Sequence, residues 1–189
     1  LAFFYPFFRE GIFHGDPHPG NILFREGGQI VLIDFGNVGR LDPAFRHQMA
    51  QLLVAIVEKD VEALMEIMEK TGTVTKTINH QHFYEDAAEL LEKTNGFSTG
   101  DIDFSNILNG MIAISLNHGI KMQDNFFILG KAVTIIESIA RTVSPKANLL
   151  EFVKPLAMDY LKMELTPRFA LGKACKETFE FMEMITSIP

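Results

Sequence analysis

The sequence predicts a mainly α-helical domain with one small β-hairpin near its start. Three observations carry this. From Asp42 onward, apolar residues recur at three- and four-residue spacing. Helix starts and stops divide that stretch at Asp42-Pro43, Asp60, Gly72, Gly119, Asp124 and Ser144-Pro145. Ahead of it, the apolar runs NILF and IVLIDFG flank REGGQ, the pattern of two strands joined by a glycine turn.

The first residues, LAFFYPFFRE, are apolar but interrupted by Pro6 and lack a basic start, so they do not read as a signal peptide. HGDPHPGN, residues 14 to 21, follows. Its paired prolines suit neither a helix interior nor a central strand, so it reads as a stiff loop. The hairpin strands are expected to begin at Ile22 and at Gln29 or Ile30. Asp42 caps a first helix, with Pro43 at its first position and Phe45, Met49, Leu52, Leu53 and Ile56 on one face. Asp60 caps a second, carrying Val61, Leu64, Met65 and Met68 and ending near Gly72. TGTVTKTIN reads as a connection. A third helix runs from His80 or His82 to about Lys93, NGFSTGD is a loop, and a fourth spans Phe104 to Asn117. A fifth begins near Asp124 and contains Gly130, a costly residue inside a helix that points to close packing there. A sixth covers Ala147 to Met163, and Thr166-Pro167 starts a seventh that runs to the end.

Apolar residues make up 47% of the 189 and charged residues 22%, which suits a folded domain with a sizeable core. The net charge of −7 and the lack of a basic run argue against nucleic acid as a partner. Cys175 is the only cysteine, so no disulfide forms within the chain, and it reads as a small buried hydrophobe. No apolar run approaches the ~18 residues of a membrane span. The methionines sit on helical apolar faces as core filler, with a lipid-facing groove as the alternative. His80 and His82 do not share a helix face and read as surface residues; His47 and His118 have no ligand partner in sequence.

The chemistry lies in the loop and the hairpin. Asp16 and Asn21 are five residues apart, and Asp34 opens DFG at the end of the second strand. A hairpin returns that strand beside the first, so two carboxylates and an amide can meet at one strand end. Hard oxygen ligands of this kind suit Mg²⁺. An aspartate, four intervening residues, an asparagine and a later DFG is also the order of the phosphoryl-transfer template.

GIFHGDPHPGNILF (11 to 24) and QIVLIDFGNVGRLDP (29 to 43) resemble the UbiB, or AarF-type, atypical kinases, the ABC-one domain family. The resemblance is tight over residues 11 to 43 and loose over the rest. It implies a protein-kinase-like C-terminal lobe, with residues 1–41 forming catalytic loop, hairpin and DFG segment and 42–189 the helical body. It implies that Asp16 is the catalytic-loop aspartate and that Asn21 and Asp34 are metal ligands. It places His14 against Phe35 of DFG, and puts His18, a candidate nucleotide contact, where protein kinases carry Lys or Arg. Mg²⁺ and ATP are the implied cofactors, and isoprenoid-quinone biosynthesis the implied setting. The family's upstream nucleotide lobe, its KxGQ extension and its membrane-spanning helices are not found here. The chain is therefore expected to be a lobe cut from a longer protein at both ends. Such a piece would sit on the cytoplasmic side, attached to a membrane through other segments, and be weak or inactive alone. Two alternatives stay open: a small-molecule phosphotransferase resembling aminoglycoside or choline kinases, and a non-catalytic lobe that binds lipid or a partner.

Overall fold

A computed structural model of the chain describes residues 2–93, 104–144 and 148–165. The expected NGFSTGD loop, the seventh helix and Cys175 lie outside the described residues.

Helix α1, Phe4–Glu10, buries Phe4, Phe7 and Phe8 and ends at Gly11 in the left-handed region. Pro6 does not break it, because it falls in the first turn, where backbone amides have no helical partner. Strand β1, Ile12–His14, leads into the loop, and Pro19–Asn21 forms one 3₁₀ turn. The hairpin follows where it was expected: β2, Ile22–Arg25, pairs antiparallel with β3, Gln29–Leu32. Gly27 and Gly28 take φ values of 84° and 77° in the turn, a conformation that favours glycine. Strand β4, Val38–Arg40, then returns to pair with β1.

The helical body opens at α2, Pro43–Glu58, where the Asp42 carboxylate accepts from the amides of Ala44 and Phe45. Helix α3, Val61–Thr71, is capped in the same way by Asp60, and α4, His80–Glu92, by Asn79. Then come α5, Phe104–Asn117, and α6, Asp124–Val143. Asn148 caps the last described helix, α7, Leu149–Glu164. TGTVTKTIN is more than a connection: it holds strand β5, Gly72–Val74, which pairs with β6, Ile120–Met122. The described residues thus hold three two-stranded antiparallel sheets where one hairpin was expected. The additional strands are three residues long, too short to leave a periodic signal.

Helices α2 and α7 pack along each other, and their inner faces join those of α1, α3, α4, α5 and α6 in one apolar core. Met49, Met68, Met111 and Met122 are buried in it, as core filler should be. Tyr160 of α7 is also buried and donates to the Glu164 carboxylate at 2.6 Å. Burial, aided by that hydrogen bond, pushes its hydroxyl up to about 12. His47 pairs with the other oxygen of Glu164, and His118 with Asp86 at 2.7 Å, while His80 and His82 are exposed. Gly130 does not mark close packing: a Cβ there would meet nothing within 4 Å.

Candidate active site

The loop and the DFG segment are two strips of chain tied together at both ends. At one end, His14 pairs with Val38 in the β1–β4 ladder, and the Gly15 amide donates to the Asn37 carbonyl at 2.8 Å. At the other, Ile22 pairs with Leu32, and the Ile33 amide donates to the Asn21 carbonyl at 3.1 Å. Between the ties lie Asp16, His18 and Asn21 on one strip and Asp34 on the other. Main-chain bonding therefore sets Asn21 beside the residue that precedes Asp34.

Each strip is also braced within itself. The Asp16 amide donates to His14 Nδ1 at 3.2 Å, and the Asp16 carbonyl accepts from the His18 amide at 2.7 Å. The His18 carbonyl accepts from the Asn21 amide, and His18 Nδ1 accepts from Gly20 at 3.1 Å. On the facing strip, Asp34 Oδ1 accepts from the Gly36 amide at 2.7 Å. The His14 and Phe35 rings lie 6.0 Å apart, centroid to centroid. Asp16 and Asn21 are half-buried, whereas His18 and Asp34 are exposed. The bonds that fix Asn21 run through its main chain.

Two glycines permit the close approach of the strips. A Cβ at Gly15 would lie 2.8 Å from Asn37 Oδ1, and one at Gly39 only 2.2 Å from the Phe13 ring. Because Phe13 is buried, its ring has little room to yield. Gly39→Ala is expected to lower stability by about 1–3 kcal/mol through overpacking; urea unfolding measures it, and an unchanged midpoint would show that the ring moves freely.

The donor set can be tested against a metal by its chemistry. Among the described residues, no group of three or more His, Cys, Asp or Glu could hold a metal ion. A cation here would rest on the Asp34 carboxylate and the Asn21 amide, with the Asp16 carboxylate on the same loop. All are oxygen donors, few in number, which fits Mg²⁺ better than softer metals.

One charged neighbour escaped the sequence reading. Lys131 of α6 places Nζ 3.3 Å from Asp16 Oδ1. The two positions are 115 residues apart, so nothing local announced the pair. Beside the site the hairpin leaves Leu23, Phe24, Ile30 and Ile33 exposed. A groove of about 400 Å³ runs from there past Ile139 and Val143 to Phe152.

A mainly helical domain with small sheets and an oxygen-rich loop site is the class these features define. Comparison with known proteins narrows it. The family model for the ABC1 atypical kinase-like domain matches residues 1–68, and that for the UbiB helical domain matches residues 87–148. The chain is 26% identical, over its whole length, to a probable protein kinase UbiB of Pasteurella multocida, covering 36% of that protein. It is 26% identical over its whole length to an uncharacterized protein of Clostridium pasteurianum, again covering 36%. A Synechocystis protein, also uncharacterized, is 31% identical over 72% of the chain and 33% of its own length. The chain belongs to the UbiB-type family of ABC1 atypical kinase-like proteins. It spans about a third of the length of the curated relatives it matches. No helix among the described residues is long and apolar enough to cross a membrane.

Proposed function

We propose that the chain is the metal- and nucleotide-binding lobe of an atypical kinase or ATPase that serves isoprenoid-quinone biosynthesis. The observation that supports it most is the double tie between the strips, which sets Asn21 and Asp34 at one end of the hairpin with Asp16 on the same loop. In this reading Asn21 and Asp34 hold Mg²⁺ and His18 faces the phosphates. Asp16 orients the hydroxyl or water that receives the phosphoryl group and accepts its proton. Mg²⁺, when bound, neutralises phosphate charge. The name of the Pasteurella relative agrees with phosphoryl transfer.

Titration calorimetry on the full-length protein tests the reading. ATP should bind with a Kd well below about 1 mM in the presence of Mg²⁺, and EDTA or Asp34→Ala should remove that binding. Affinity no better than millimolar, or indifference to EDTA, would sink it. A second reading, a lobe that binds lipid or a partner protein without chemistry, draws support from the apolar groove and the exposed hairpin face. It predicts the negative calorimetric result.

A further inference from the structure

We propose that Lys131 is a phosphate-binding residue of this site, giving its ammonium to the terminal phosphate of a bound nucleoside triphosphate; the inference rests on the nucleotide-binding reading above. Its ion pair with Asp16 joins two segments that the family models match separately. Asp16, Asn21 and Asp34 lie within residues 1–68, and Lys131 within residues 87–148. The helical domain therefore contributes a charge to the loop site.

Stability does not account for the pair. The Lys131 side chain is 64% exposed and that of Asp16 44%, and an ion pair this wet adds little to folding. Nor is the lysine hemmed in. A Cβ on neighbouring Gly130 would meet no atom within 4 Å, and Phe127 and Ile128, one turn earlier, are exposed. The ammonium has three donors on a flexible stem, and the contact with Asp16 uses one.

Charge balance supplies the reason for a lysine there. Asp16 and Asp34 bring negative charge to a site meant for a polyphosphate, and like charges at close range repel. Among the described residues, Lys131 is the cation that pairs with a site carboxylate. His18 turns its Nδ1 to the Gly20 amide and so has only its other ring nitrogen to offer. A lysine standing at the carboxylate is suited to shift onto an incoming terminal phosphate, as a point charge with free donors.

Calorimetry on the full-length protein with Mg-ATP, Mg-ADP and AMP tests this. Lys131→Met is expected to raise the Kd of Mg-ATP about tenfold. The Kd of AMP, and the melting temperature without nucleotide, should stay unchanged. Lys131→Arg, which keeps the charge, should restore most of the loss. Equal weakening of all three nucleotides, an unchanged Mg-ATP affinity, or a lowered melting temperature overturns the proposal. Absence of binding to any of the three by the unmodified protein defeats the nucleotide reading itself, and this proposal with it.

Discussion

Asparagine in place of Asp16 should leave the protein folded and slow its ATP turnover about a hundredfold or more. The fold should survive because the bonds that shape the loop here are made by the Asp16 main chain, with His14 Nδ1 and the His18 amide. The side chain's own contact is the exposed pair with Lys131. An amide of the same shape cannot accept a proton as the carboxylate does. Phosphate release by the full-length variant, beside its circular dichroism, is the measurement. A folded variant that keeps most of its turnover would strip Asp16 of the role given to it.

The largest loss of stability should come from Glu137→Ala. Glu137 is only 4% exposed, yet it is a charged residue well inside α6. Oε1 accepts from the Phe104 amide at 3.1 Å, and Oε2 from the Ser105 amide at 3.0 Å and hydroxyl at 2.6 Å. Arg141, one turn along α6, donates to Oε1 at 3.3 Å. The carboxylate thus closes the start of α5 from another helix, where unpaired amides and the helix dipole favour negative charge. Alanine would strand buried donors, so the expected loss is about 3 kcal/mol, a fall of roughly 10 °C in melting temperature. A shift of a degree or two would mean that water or Arg141 replaces the carboxylate at little cost.

Helices α2, α3 and α6 were legible in the sequence because local chemistry marks their starts: Asp42-Pro43, Asp60 and Asp124. The hairpin was legible because Gly27 and Gly28 separate a pair of apolar runs. Apart from helix α1, whose apolar run is interrupted by Pro6, what escaped was non-local. Strand β5 finds its partner only after α4 and α5 have passed, and β1 finds β4 only after the hairpin has closed. Glu137 stands in a largely apolar stretch of α6 with nothing local to mark it, since its partners in α5 lie more than thirty positions away. Lys131 was hidden for the same reason. The loop residues stand out by their spacing, but no spacing could reveal the cation that a distant helix sets against Asp16.

The tying of the two strips at both ends has a consequence for divergence. The knots are main-chain groups of Gly15, Asn37, Asn21 and Ile33, whose bonding does not depend on which side chains hang between them. A descendant could exchange its carboxylates for other groups without rebuilding the scaffold. Loss of chemistry and loss of shape are separate events in such a frame, and an inert copy would still fold like its working ancestor.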